Sequence, residues 1–332
     1  MNKDVDIIGP YPPPFGGVSI HISRIIPLMR ENGLNPIVYN QYNYENEDLK
    51  IFATRKSIKW WLTYFFKNKS PVVHFHQFSI LHFPYLLLLS RLSSNKIILS
   101  IHNEKILTYP RALRLAILNT LKLSRLSCII IVSKRLCSTM NDHKIKNVTW
   151  LPAYVPPPKT QSTPLPNEYG IKVAYNAAQL SDINAIETYG ADLLLRLARD
   201  NPSIGFYIFI GEPSSKLFFE DYISQYNIKN CMVFYGKPLV EYLASANIFL
   251  RLNRKDAYGI SIDEALDLGV IAIASDVCTR AKGCILYKNN DYDDLSSVFY
   301  NTINKPSEDI QISREPSKYH LQLIEIYKNL LS

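Results

Sequence analysis

Three groups of residues in this 332-residue chain combine types and spacings that chemistry can use. The richest is residues 248–276, IFLRLNRKDAYGISIDEALDLGVIAIASD, where Arg251, Arg254 and Lys255 crowd Asp256 and Gly259 just after an apolar run. Ser261 stands where a helix cap is expected, with Glu264 three residues on, the spacing of a capping box. Asp256 and Glu264 are eight apart, which predicts one carboxylate in a loop and the other in the first helical turn. Carboxylates there suit sugar hydroxyls, while the cations and the helix N-terminus suit phosphate. This is either a nucleotide- or sugar-phosphate-binding turn or a capped helix beneath a solvated charged loop.

The second group is DVDIIGPYPPPFGGVSIHI, residues 4–22, which reads as a strand, a rigid Pro-rich loop and a helix opened by Gly16 and Gly17. Paired glycines at a helix start let a ligand approach free N–H groups and the positive dipole end, although they also serve as plain caps. Neither the phosphate-loop nor the dinucleotide fingerprint is present. Histidines form the third group. His74 and His76 share one face of a predicted strand, half of a metal site without further ligands. His102 ends another strand. Ser133, after the run CIIIV, reads as a helix cap, since no G-x-S-x-G surrounds it.

These residues need a scaffold of alternating short apolar runs and longer helical patterns, the rhythm of βαβ units with a mostly parallel sheet. Strands are predicted at 5–8, 36–39, 72–76, 97–101, 128–132 and 148–151, with helices over 18–32 and 112–125. The segment PAYVPPPKTQSTPLP, residues 152–166, is too rich in proline to sustain either ladder and reads as a linker. Beyond it the pattern restarts, with strands at 172–176, 205–210, 232–235, 248–252 and 270–274, helices between them, and a last helix over 316–331. The expected division is an N-terminal Rossmann-like domain at 1–153, a linker at 154–166, a second Rossmann-like domain at 167–314 and a C-terminal helix at 315–332 that crosses back.

Charge divides along the same boundary. Residues 1–150 hold 20 Lys and Arg against 8 Asp and Glu, whereas 151–332 hold 17 against 21. A basic half predicts a polyanionic partner. Residues 55–69, RKSIKWWLTYFFKNK, set Lys56 and Lys59 beside Trp60, Trp61 and Phe65, a pattern suited to an anionic membrane surface. A second basic amphipathic stretch, 111–125, would turn Leu113, Ala116, Ile117 and Leu121 to one face, either toward lipid or onto a sheet. No nucleic-acid-binding module is recognisable, so nucleic acid is not an expected partner. The five cysteines form no C-x-x-C pair, no apolar run reaches the roughly 18 residues of a spanning helix, and the N-terminus lacks the form of a secretory signal. A cytoplasmic protein, peripheral at the inner face of the plasma membrane, is expected.

The segments GPYPPPFGGVSIH, VVHFHQF, LSIHNE, CIIIVS and DAYGISIDEAL followed by GVIAIASD, in that order, resemble retaining glycosyltransferases of the GT-B fold, family-four type. That resemblance implies two doubly wound domains facing a cleft and transfer of a sugar from a nucleotide-sugar donor. The family's E-x7-E signature stands here as Asp256-x7-Glu264. By resemblance, Asp256 would hold donor-sugar hydroxyls, Glu264 the ribose, Gly16 and Gly17 the diphosphate or sugar, and His102 would lie near the reacting carbon. Lys237 would lie near the base, while Ser261 belongs to the donor turn. The Arg and Lys that the family uses to neutralise its leaving diphosphate are replaced by Gln179 and Tyr189. Arg251, Arg254 or Lys255 is expected to supply that charge. No cofactor or metal is expected, because the chemistry asks for positioning, diphosphate stabilisation and exclusion of water. The arrangement R-x4-D…S-x2-E-A-L…A-S-D-V, closed by Arg280, resembles bacterial surface-polysaccharide enzymes of the lipopolysaccharide or capsule kind. This implies a lipid-linked saccharide acceptor. A nucleotide-sugar epimerase and an inactive sugar-nucleotide-binding scaffold are the alternatives; the oligomeric state is not read.

Overall fold

The structure, a computed structural model, describes residues 3–13, 16–42, 44–54, 60, 63–64, 70–76, 90–92, 94–158, 162–304 and 316–332. It divides into two units, Met1–Pro156 with Lys318–Ser332, and Pro157–Ser317.

The first unit is built on strands β1 (Asp4–Gly9), β2 (Asn35–Asn40), β3 (Ile51–Ala53), β4 (Val72–His76), β5 (Lys96–Ile101), β6 (Cys128–Ile131) and β7 (Val148–Trp150). They form one parallel sheet in the order β3-β2-β1-β4-β5-β6-β7. Parallel strands covered on both faces run apolar without alternation, and β4 is buried along its whole length. Helix Gly17–Glu31 packs on the sheet through Ile22, Ile25, Ile26 and Met29, whose spacing sets four buried side chains on one stripe. Each is worth roughly 1.5–3 kcal/mol of burial. The C-terminal helix Tyr319–Leu331 joins the same core through Leu323, Ile324 and Tyr327.

Helix Arg111–Leu123 differs from its expected orientation. Ile117, Leu118 and Leu121 face the core, while Leu113 and Ala116 are exposed. The reason is local: on the helical wheel Leu118 lies beyond Leu121, about 100° from Ile117, and draws the buried stripe away from Leu113 and Ala116.

The second unit carries β8 (Lys172–Ala177), β9 (Gly205–Ile210), β10 (Cys231–Tyr235), β11 (Ile248–Arg251), β12 (Ile271–Ser275) and β13 (Ile285–Tyr287). Its parallel sheet runs β10-β9-β8-β11-β12-β13. Each sheet therefore starts in the middle, grows to one edge and then restarts on the other side of its first strand. That reversal leaves a crevice at the carboxyl ends of β1 and β4 in one unit and of β8 and β11 in the other. In open α/β sheets ligands bind at such switch points. Both sheets are Rossmann-like, and the fold is GT-B, as expected.

Candidate functional site

Arg251 is the last residue of β11 and lies beside β8, at the switch point of the second sheet. Its Nε donates to Asp256 Oδ2 at 2.9 Å. Arg280 Nη1 donates to the same oxygen at 2.7 Å, so one carboxylate oxygen bridges two guanidiniums. Arg280 is also fastened to Tyr258 O (2.8 Å), Ser275 O (2.9 Å) and Ser275 Oγ (3.0 Å), and its side chain is only 1% exposed. Burial alone would raise the Asp256 carboxyl, but the charges and hydrogen bonds of Arg251 and Arg280 hold it well below the usual carboxylate range. Asp256 stays ionised, and the cage of two cations and one anion keeps one positive charge.

That charge is presented by Arg251. Beyond Asp256 its hydrogen bonds among the described residues are long, 3.4 Å each from Nη1 to Asn176 Oδ1 and to Ser261 Oγ. Arg280, with every bond inside the protein, is a buttress that sequence reading noticed only as the end of a motif. Gly259 makes the cage possible. It has φ +89°, and a Cβ there would stand 2.9 Å from Arg280 Nη1 and 3.1 Å from Asp256 Oδ2. Only glycine combines that backbone angle with such close approach.

Several expectations change here. Helix Ile260–Asp267 is capped by Gly259, not by Ser261, and so has no capping side chain. The left-handed turn at Gly259 starts the helix before Ser261, which therefore lies within it and turns its hydroxyl to Arg251 and Asn176. Glu264 is buried one turn further on. Asp256 spends Oδ2 on the two arginines, and its Oδ1 accepts from the Ala257 N–H. Arg254 does not join Arg251. It forms a fork with Asp192 (2.8 and 2.6 Å) and also donates to Glu187 O and Asn290 Oδ1, fastening helix Ala191–Asp200. Lys255 and Lys237 are exposed. Gln179 is exposed after β8, and Tyr189 is half-buried within electrostatic reach of Arg251 and Asp256.

The first unit gathers four histidines at its own switch point. His74 and His76 lie on β4, His102 follows β5, and His21 lies on the helix after β1. His74 Nδ1 meets Tyr327 OH at 2.6 Å and its Nε2 meets Ser100 Oγ at 2.7 Å, which accounts for this buried ring. His76 Nδ1 is 3.0 Å from His102 Nε2. His21 Nδ1 donates to Ala153 O at 2.7 Å. Burial lowers His21 to about 4 and His102 to about 3, with His21 depressing His102 further, so these rings are neutral near pH 7. His74 and His76 are also driven well down, first by burial and then by neighbouring imidazoles. Among the described residues no group of three or more His, Cys, Asp or Glu could hold a metal ion.

Gly16 caps helix Gly17–Glu31, its N–H donating to Ser19 Oγ at 2.9 Å. Among the described residues a Cβ on Gly17 would meet nothing within 4 Å, and one on Gly16 only Ser19 Oγ at 3.9 Å. Packing within the protein thus does not demand either glycine. Ser133 caps helix Lys134–Asp142 by accepting from Leu136 N–H, as expected. Trp60, anticipated at a membrane, stacks on Tyr64 (ring centroids 5.1 Å apart) and meets Tyr39 edge-on, held inward because the Tyr64 hydroxyl is anchored on buried Asp6. Lys56, Lys59, Trp61 and Phe65 lie outside the described residues.

Residues 183–290 match the family model described as "Glycosyl transferases group 1", which spans the cage and most of the second sheet. Comparison with curated proteins finds no match. Among solved structures, the fold is similar to sucrose-phosphate synthase of Thermosynechococcus elongatus, with 14% identity, 99% of each chain covered and a TM-score of 0.75. It is similar to HepE of Anabaena, solved with UDP and glucose, with 9% identity, 99% and 98% covered and a TM-score of 0.72. It is also similar to WaaG, a glycosyltransferase involved in lipopolysaccharide biosynthesis, with 13% identity, 97% and 99% covered and a TM-score of 0.70. Residues 183–290 thus match a glycosyltransferase group 1 model, and the fold is similar to GT-B structures.

Proposed function

We propose that this nucleotide-sugar glycosyltransferase moves a sugar, with retention of configuration, onto a lipid-linked saccharide in bacterial surface-polysaccharide synthesis. Arg251 carries the reading: a guanidinium with one unbalanced positive charge, buttressed from behind, at the switch point where its sheet receives ligands. In the transition state negative charge grows on the departing nucleoside diphosphate, and a fixed cation facing it is the strongest aid a protein can offer. Arg251 takes the place of the two cations whose family positions hold Gln179 and Tyr189. Arg254 is left out because its fork is closed on Asp192. Glu264 and Ser261 serve the donor on the same turn, with Asp256 Oδ1 beside them. In the first unit, the Gly17 N–H and the His102 ring are the groups offered to the sugar, while the Gly16 N–H is held by Ser19. Charge neutralisation by Arg251 is why no metal is assigned to the reaction.

The acceptor and the location rest on charge. Between Lys105 and Asn141 there are seven Lys and Arg and no Asp or Glu. In that stretch Leu113, Leu115 and Leu123 are exposed beside Arg111 and Lys122. Exposed leucines among these cations suit the anionic inner leaflet of a plasma membrane, where a lipid-linked acceptor would be presented. Among the described residues no helix is long and apolar enough to cross a membrane.

Arg251→Met tests the reading. A charge-assisted hydrogen bond to phosphate is worth about 1.5–3 kcal/mol, so titration calorimetry with UDP and with GDP should show binding weakened about 10- to 100-fold for the nucleotide the wild type prefers. Sugar transfer should fall at least as far. Unchanged affinity and turnover would refute the assignment. Loss of binding by a protein that never transfers or hydrolyses a donor would favour a scaffold instead.

A further inference from the structure

The hydrogen bond between His76 and His102 has a direction that the buried surroundings decide. Both rings are neutral, so each carries a single N–H, and the 3.0 Å bond from His76 Nδ1 to His102 Nε2 needs one donor and one acceptor. If His102 Nε2–H were the donor, His76 would have to carry its proton on Nε2. That atom is buried and has no hydrogen-bond partner among the described residues. A buried N–H without an acceptor is among the rarest features of folded proteins, whereas an unused lone pair is better tolerated. The proton of His76 therefore belongs on Nδ1, donated to His102 Nε2, and the proton of His102 belongs on Nδ1. His21 obeys the same pattern independently, because its Nδ1 faces the Ala153 carbonyl, which can only accept.

We infer that His76 is a positioning residue that holds His102 in its Nδ1–H form, so that His102 meets the sugar as a neutral hydrogen-bond donor and not as a proton acceptor. The tautomer follows from burial and the hydrogen-bond geometry of the two rings; only its use on a sugar rests on the proposed transferase function. His76 is the last residue of the switch-point strand β4 but is fully buried, and it acts through the ring beside it.

The experiment is two-bond proton–nitrogen NMR on the full chain labelled with 15N-histidine at pH 7, for wild type, His76→Leu and His76→Asn. Wild type should show a protonated Nδ1 and a bare Nε2 on His102. His76→Leu removes the donor and should shift His102 toward its Nε2–H form. The side-chain amide of His76→Asn lies where Nδ1 was and should restore the wild-type pattern. Should His76→Leu fail to fold, the wild-type and His76→Asn spectra still decide, and an Nε2–H signal for His102 in either overturns the inference. So does a pattern that His76→Leu leaves unaltered. In donor turnover, His76→Leu should lower kcat at least tenfold with KM for the nucleotide sugar within twofold, and His76→Asn should recover to within threefold. Equal kcat in all three proteins, with the tautomer shifted, overturns the positioning role. If the wild type transfers no sugar from any nucleotide donor, the transferase reading fails while the NMR still decides what His76 does to His102.

Discussion

Replacing Arg280 with methionine isolates the buttress from the cation it supports. Methionine fills much of the same stem volume but donates nothing, so Asp256 Oδ2 loses its 2.7 Å partner and the carbonyls of Tyr258 and Ser275 lose donors at 2.8 and 2.9 Å. Removing one member of a buried ion pair costs about 3–5 kcal/mol. Because Arg251 still faces Asp256 at 2.9 Å, the lower end applies. In a unit of this size about 1 kcal/mol moves the midpoint by 2–4 °C, so a Tm fall of about 6–12 °C is expected. Urea denaturation followed by circular dichroism gives the same quantity directly. The variant also cancels the excess charge of the cage, leaving Arg251 balanced by Asp256, so UDP or GDP binding should weaken although Arg251 is intact. Acid supplies a further signature. The depressed Asp256 carboxyl stabilises the fold above the ordinary aspartate value of 3.8, and that contribution is lost as pH falls toward its folded value. The stability gap between wild type and variant should therefore be constant above about pH 5 and shrink below about pH 4. A loss under about 1 kcal/mol with unchanged nucleotide affinity would show that water replaces Arg280 and that the cage is not a buried unit.

Arg254→Ala should lower stability by about 1–3 kcal/mol, because a partly exposed fork and two further bonds are lost. Titration should find nucleotide affinity within threefold of wild type, and a larger loss would return Arg254 to the donor site. Gly17→Ala should leave Tm unchanged or slightly higher, since its Cβ meets nothing and helix propensity improves by about 0.5–1 kcal/mol. Its kcat/KM should nevertheless fall at least tenfold, and full activity would mean that no ligand approaches this backbone. For the histidines, the fold holds His21 at about 4 and His102 at about 3, against 6.5 in the unfolded chain. Each then takes up a proton on unfolding below pH 6.5, so stability falls with pH by about 1.4 kcal/mol per unit per histidine. Urea midpoints at pH 7, 6 and 5 should show that slope, and His21→Gln should reduce it; a flat profile would mean the rings are already protonated in the fold.

Much of the fold was legible because its signal is local and repeated. The strand over 205–210 is apolar throughout, and the helix from Gly17 shows its stripe at the expected spacing. Of the three-residue edge strands, Val148–Trp150 shows in the sequence, while 51–53 and 285–287 were missed, since so few positions carry little periodic signal. The candidate site was legible as an inventory: Arg251, Asp256, Gly259, Glu264 and the glycine pair all stood out by type and spacing. Their partnerships were not. Asp256 looked like a free carboxylate because Arg280, 24 residues further on, reaches it only through the turn at Gly259. Arg254 looked equivalent to Arg251 because adjacent loop positions carry no sign of which way each side chain points.

By itself the sequence determined two parallel sheets and the places where their strands end, since burial on both faces and helical spacing are properties of neighbouring residues. Tertiary structure alone decided that Arg251 keeps a charge to spare, that Arg254 does not, and that four histidines meet at one strand edge. Those outcomes depend on hydrogen-bond partners brought together across 24 to 253 positions of chain, where the cost of burying an unpaired charge or N–H selects the arrangement.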